Sequence, residues 1–76
     1  MIILNEEIPI TTEYIQLGQF LKLANIMESG GMVKMFLSEN DVYVNGEAEN
    51  RRGKKLYPGD QVEIEDVGTF TVTKEQ

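Results

Sequence analysis

The stretch "VKMFLSENDVYVNG", residues 33–46, changes part-way along from a helical to an extended pattern. Apolar side chains in residues 33–37 recur at i, i+3 and i+4, which is the spacing of one helix face. After an Asn-Asp pair, residues 42–44 alternate valine with tyrosine, and Asn45-Gly46 is a strong signal for a two-residue turn between strands. This segment therefore predicts a helix that leads directly into a β-hairpin.

A second amphipathic segment precedes this stretch, and before it residues 2–9 predict a strand or an extended arm. We expect Thr11 or Thr12 to cap the helix and Gly30 to end it in a left-handed conformation. Gly18 lies inside the helix, where glycine costs about 1 kcal/mol relative to alanine, and it indicates a close approach by another element. The apolar face of this first helix recurs at i, i+3, i+4 and i+7: Leu17, Phe20, Leu21 and Ala24.

Downstream, two more segments alternate apolar and polar residues, the first of them after a Pro-Gly-Asp turn at residues 58–60. Tyr43 and Tyr57 each neighbour a strand or turn position, and we expect both rings to be exposed. Because each strand has one apolar face, the sheet should cover the helix pair on one side. The predicted fold class is α+β, a helix pair packed on a small, mostly antiparallel sheet. The apolar residues of the two later strands are Val62, Ile64, Phe70 and Val72.

The chain has 76 residues, a formal net charge of −6, no cysteine and no histidine. This length predicts one small domain over residues 1–76. The lack of cysteine excludes disulfides and thiolate metal sites, and no acidic motif has metal-ligand spacing. The lack of histidine removes the side chain best suited to proton transfer near neutral pH. We therefore expect no enzyme activity, no catalytic residue, no metal and no cofactor.

The hydropathy of the chain predicts neither a signal peptide nor a membrane span. The first ten residues lack the charged and long apolar regions of a signal peptide. No apolar run approaches the length of a membrane span. We expect a soluble cytoplasmic protein with no membrane partner and no small-molecule substrate.

The basic side chains are concentrated in one segment, the basic loop, residues 50–55. Acidic residues dominate the regions towards both ends of the chain. Net charge governs solubility and long-range steering, whereas a local patch governs where an anion docks. The loop therefore predicts a phosphate-binding edge, although such a loop can also be merely a solvated surface. Four of the seven basic residues lie in it: Arg51, Arg52, Lys54 and Lys55.

The segment "ESGGMVK" is a second candidate for anion binding. Gly30 and Gly31 precede the second helix, whose first N–H groups are unbonded and carry a partial positive charge. Lys34 follows three to four residues later and projects from the same side. A helix start with a lysine can seat a phosphate. By themselves the glycines favour the simpler interpretation that they mark the boundary between two helices.

In this order, the features resemble the S4 RNA-binding domain, named after small-subunit ribosomal protein four. The resemblance covers residues 16–64 and is strongest to small stand-alone bacterial proteins of the YaaA/YbcJ type. It rests on the leading leucines of the first helix and on the segments "ESGGMVK", "VYVNG", "NRRGKK" and "LYPGD".

The resemblance implies an αL RNA-binding motif that binds structured RNA, such as ribosomal RNA during ribosome assembly or maturation, across the helix pair and the adjoining loop. The family often opens its first helix with an arginine and an aspartate. Gln16 and Gly18 stand in those places here, so we expect the basic loop to supply more of the RNA binding. The residues implied to bind RNA are Lys34, Arg51, Arg52, Lys54, Lys55, Gly30 and Gly31.

Two other functions are compatible with the sequence. A protein-interaction module could use the acidic surface to bind a basic partner. A β-grasp sulfur carrier shares the short first strand and the Pro-Gly-Asp turn, but such carriers need a C-terminal Gly-Gly, and this chain ends in Glu75-Gln76.

Overall fold

The computed structural model describes residues 4–75 and confirms the α+β fold class. A five-stranded sheet, with strand order β1-β7-β6-β3-β4, is accompanied by a two-stranded ribbon, β2-β5. No helix in the described part of the chain is long and apolar enough to cross a membrane. The elements are β1 (Leu4–Ile10), β2 (Ile15–Gln16), α1 (Leu17–Leu23), a 3-10 turn (Gly30–Met32), α2 (Val33–Glu39), β3 (Val42–Val44), β4 (Glu47–Ala48), β5 (Lys55–Leu56), β6 (Gln61–Ile64) and β7 (Gly68–Lys74).

The sheet is mostly antiparallel, as predicted. Strand β1 pairs with β7 in parallel, whereas the β7-β6, β6-β3 and β3-β4 pairs are antiparallel. The parallel pair joins the beginning of the described chain to its last strand. The first and last described strands are therefore neighbours in the sheet, and both helices lie between them in the sequence.

The core lies between one face of the sheet and the helix pair. Alternate side chains of β3, β6 and β7 are buried, which is the expected result of a period of two with one covered face. Phe36 of α2 is only half-buried and packs at the edge of the core. The helices contribute five buried apolar side chains: Leu17, Phe20, Leu21, Val33 and Leu37.

The start of α1 differs from the prediction. The helix begins at Leu17, so Thr11 and Thr12 lie well before it and cap nothing there. Gln16 occupies the cap position with extended dihedral angles, because it is paired with Lys55 in the β2-β5 ribbon. This ribbon was not predicted, since two-residue strands leave no periodic signal in a sequence.

The end of α1 also differs from the prediction. Asn25, not Gly30, adopts the left-handed conformation, with φ of 62°. Its N–H donates to the carbonyl of Lys22, and the N–H of Ile26 donates to the carbonyl of Leu21. These two bonds form a Schellman motif, in which asparagine replaces the more common glycine. Gly30 instead begins the 3-10 turn.

Two tight turns lie on either side of the segment that contains the basic loop, one before β4 and one after β5. Asn45 and Gly46 have φ of 52° and 86°, as a type I′ hairpin turn requires, which confirms the predicted turn. Gly59 has φ of 101° in the turn after Pro58, which only glycine adopts readily. The side chain of Asp60 accepts a hydrogen bond from the amide of Asn45 at 3.1 Å and so joins the two turns.

Candidate nucleic-acid interface

The backbone of the basic loop is bonded directly to the start of α1. The N–H of Leu17 donates to the carbonyl of Lys54 at 2.8 Å, and the N–H of Gly18 donates to the carbonyl of Arg52 at 2.9 Å. The first N–H groups of a helix lack partners within the helix, so carbonyl groups of the loop satisfy two of them. The loop is therefore held in a defined position against α1.

Gly18 lies in close contact with the loop and with α2. A Cβ atom at this position would lie 3.3 Å from Cβ of Arg52, 3.3 Å from Cγ1 of Val33 and 3.4 Å from the carbonyl oxygen of Arg52. A side chain here would have to push the loop or α2 away. The prediction that Gly18 marks a close approach is confirmed.

A groove of about 340 Å³, the α1 groove, lies between α1, the basic loop and the 3-10 turn. It brings together two of the predicted site residues, Arg52 and Gly30. It also adds Lys22, whose Nζ lies 3.6 Å from where a Cβ of Gly30 would stand. The groove is lined by Gln16, Gly18, Gln19, Lys22, Gly30, Val33, Arg52 and Gly53.

Lys22 was missed in the sequence because it lies outside both basic segments. Its position was nevertheless indicated, since it lies four residues after Gly18 and therefore on the same side of α1. Only the fold places it beside Arg52, a residue far away in the chain. Two cations thus line one concave surface, where their fields add.

Arg51 differs from the other cations of the loop because it is ion-paired. Its Nε and Nη2 donate to the two carboxylate oxygens of Glu49 at 2.9 and 3.1 Å, and its backbone N–H donates to the same carboxylate. The Arg51 side chain is 72% exposed, whereas that of Glu49 is 11% exposed. The hydrogen bonds to Arg51 lower the pKa of Glu49 to about 2. Part of the Arg51 charge is therefore balanced by Glu49, the residue that precedes the loop.

Lys54 and Lys55 lie on a second surface of the loop, which they share with Arg51, Gly53 and Tyr57. Lys54 is half-buried, and its N–H donates to the carbonyl of Arg51 at 3.2 Å. Lys55 is exposed in β5. The predicted cluster is thus divided between two surfaces, with Arg52 in the α1 groove and the other three cations on the second surface.

The predicted helix-start site is less compact. Gly31 is exposed with open space around it, and Lys34 is exposed on the first turn of α2. Val33, not Lys34, lines the α1 groove. Of the "ESGGMVK" residues that were predicted to bind RNA, Gly30 alone is among those that line this groove.

The acidic side chains include a cluster around Glu65. A hydrogen bond with Asp41 and the negative charges of Asp41, Asp66 and Glu63 raise the pKa of Glu65. Glu63 lies in β6, Glu65 and Asp66 in the β6-β7 turn and Asp41 just before β3, whereas the cations around the α1 groove lie in the loop and on α1. The Glu65 cluster should therefore repel a polyanion away from the α1 groove, whereas Lys54 and Lys55 also share a concave surface with Glu47, Glu49 and Asp60.

Comparison with known proteins gives the family. Residues 8–73 match the family model of the S4 domain. The chain belongs to the S4 domain family. The match extends beyond the predicted residues 16–64 and includes the last three residues of β1 and all of β7 except Lys74. Part of the parallel β1-β7 pair therefore lies within the family region.

A curated relative is "Probable ribosome maturation protein RlbA" from Bacillus subtilis (strain 168). It is 65% identical over 65 residues, which are 86% of this chain and 92% of the relative. The resemblance found in the sequence is therefore confirmed at the level of the family. Neither the carrier alternative nor the protein-interaction alternative gains support from these matches.

Proposed function

We propose that this S4-family protein binds structured RNA during ribosome maturation, with ribosomal RNA or an assembling ribosomal particle as its partner. The proposed mechanism is docking without a chemical step, so the protein is not an enzyme. The proposal joins the family assignment and the name of the relative to the electrostatics of the surface. It places the protein in the cytoplasm, where bacterial ribosomes assemble.

The observation that carries the proposal is the α1 groove. Lys22 and Arg52 line it together with Gly30, whose lack of a side chain lets an anion approach the backbone. The glutamines of the groove, Gln16 and Gln19, offer amide groups that can donate to phosphate or to a ribose hydroxyl. We therefore propose the α1 groove as the first phosphate site.

The second surface of the basic loop supplies further contacts. Lys54 and Lys55 add point charges there, and the exposed part of the Arg51 guanidinium can still donate to a phosphate. Gly31 and Lys34 at the start of α2 are proposed as a subsidiary contact. Because the loop is bonded to α1, the two surfaces keep a constant separation. They can therefore select an RNA fold whose phosphates have a matching spacing.

Sedimentation tests the proposal. A lysate at low salt is separated on a sucrose gradient, and the protein is detected with an antibody. We expect co-migration with ribosomal particles that is lost on raising the salt, because phosphate contacts release counterions. The Lys22→Ala/Arg52→Ala variant should remain at the top of the gradient, whereas Lys74→Ala, which removes a charge outside the loop and groove, should migrate like wild type.

Two results would contradict the proposal. The first is wild-type protein that stays at the top of the gradient while purified ribosomal RNA fails to bind it. The second is tighter binding to duplex DNA than to structured RNA in a direct titration, since the net charge of −6 disfavours non-specific binding to duplex DNA.

A further inference from the structure

The β2-β5 ribbon presents one polar and aromatic face to solvent. Ile15 pairs with Leu56, and these two side chains are directed inward, half-buried and buried respectively. Since strand side chains alternate, the neighbouring Tyr14, Lys55 and Tyr57 are directed outward. The two tyrosine rings lie side by side, with centroids 5.9 Å apart and planes inclined by 45°. We call this pair the tyrosine platform.

The tyrosine platform is exposed although its backbone is firmly held. Tyr14 is 37% exposed and Tyr57 is 45% exposed. The N–H of Tyr57 donates to Oδ2 of Asp60 at 2.8 Å, and the hydroxyl of Thr12 donates to the carbonyl of Tyr14 at 2.7 Å. Two exposed rings that contact each other on a hydrogen-bonded backbone are available for a ligand at a reduced ordering cost.

The charges beside the platform restrict the chemistry of that ligand. Nζ of Lys55 lies 4.9 Å from the centroid of the Tyr14 ring, a cation–π contact. Tyr57 also shares one concave surface with Arg51, Lys54 and Lys55, and a second with the same two lysines and with Glu47, Glu49 and Asp60. On the first of these surfaces Lys54 and Lys55 repel a cationic ligand, such as a basic peptide or a methylated lysine. They favour a ligand that joins a flat aromatic group to nearby negative charge.

An unpaired nucleotide has this combination. We propose that the tyrosine platform stacks against an unpaired RNA base, with the flanking phosphates against Lys54 and Lys55. The inference rests on the proposed function and deepens it, because it specifies RNA whose helix is interrupted by a bulged or flipped-out base. Stacking tolerates any base, since every base has a π-face. The platform therefore recognises the interruption and not its sequence.

The test uses two RNA duplexes that differ only in one bulged nucleotide, a fluorescent adenine analogue. Wild type should bind the bulged duplex more tightly and quench its fluorescence. Tyr57→Leu keeps apolar bulk but removes the π-system, and it should weaken binding to the bulged duplex by about 5- to 150-fold. Binding to the fully paired duplex should stay within about twofold, and the matched Tyr57→Phe variant should behave like wild type.

The outcomes distinguish a failure of base stacking on the tyrosine platform from a failure of RNA binding in the α1 groove. If Tyr57→Leu binds and quenches the bulged duplex like wild type while Arg52→Ala weakens binding to both duplexes, the platform is not a base site and the proposed function stands. If wild type binds neither these duplexes nor ribosomal RNA, the proposed function fails and the inference fails with it. Equal wild-type affinity for both duplexes without quenching also overturns the inference.

Discussion

Arg51 and Arg52 are adjacent in the sequence, but they should contribute unequally to RNA binding. The guanidinium of Arg51 donates two hydrogen bonds to Glu49, whereas Arg52 lines the α1 groove beside Lys22. Among residues 4–75, the Arg51–Glu49 pair is the one salt bridge found. The comparison of Arg51→Ala with Arg52→Ala therefore tests whether ion pairing inside the loop determines which cation binds phosphate.

The magnitudes follow from counterion release. Each phosphate contact contributes roughly 0.7 to 0.9 to the slope of log K against log salt. Arg52→Ala should reduce that slope by about this amount and weaken binding about tenfold at low salt. Arg51→Ala should change the slope by less than about half of the change caused by Arg52→Ala, because the Arg51 charge is already balanced by Glu49. Glu49→Gln should do the opposite and steepen the slope, since it releases Arg51.

Fluorescence anisotropy with a labelled ribosomal RNA fragment, titrated at several salt concentrations, measures these slopes. The Glu49→Gln/Arg51→Ala double variant completes the cycle and should lose the gain of Glu49→Gln. Lys74→Ala removes the same charge outside the loop and groove and serves as the control. The reasoning is refuted if Arg51→Ala lowers the slope as much as Arg52→Ala, or if Glu49→Gln changes neither slope nor affinity.

The other predictions concern stability. In urea unfolding, Phe20→Ala should lower the free energy of unfolding by about 3–5 kcal/mol because Phe20 is fully buried, and the half-buried Phe36→Ala should cost less. Lys34→Ala should change it by less than about 0.5 kcal/mol, and a large loss would make Lys34 structural. The pKa of Glu49 lies below its ordinary value of 4.5, so its ion pair stabilises the fold fully above pH 4.5 and is lost as the pH falls through about 2. The stability difference between wild type and Glu49→Gln should therefore shrink over this range, and a constant difference would contradict the pairing.

Much of the fold could be predicted because it depends on local patterns. The alternation in residues 42–44, the Asn45-Gly46 turn and the later strands all appear as expected. The boundaries of α1 could not be predicted. Thr11 and Thr12 are good caps by residue type, but Gln16 pairs with a strand from beyond α2, and that pairing sets where the helix begins.

The candidate site was predicted in part for the same reason. Clustering in the sequence pointed to the basic loop and to the glycines before α2, because neighbours in a short segment must be neighbours in space. It could not show that Glu49 neutralises Arg51, since that depends on the conformation of the loop. It also missed Lys22 and Tyr14, which are brought to the loop by contacts that are distant in the sequence.

The amino-acid sequence by itself determined the fold class, the family resemblance and the location of most of the positive charge. These properties follow from periodicity, turn chemistry and the order of residue types, all of which are local. The tertiary structure alone decided which cations share a groove, which one is paired and which tyrosines meet. Those relations depend on hydrogen bonds and packing between distant segments, above all the bonds that join Leu17 and Gly18 to the basic loop.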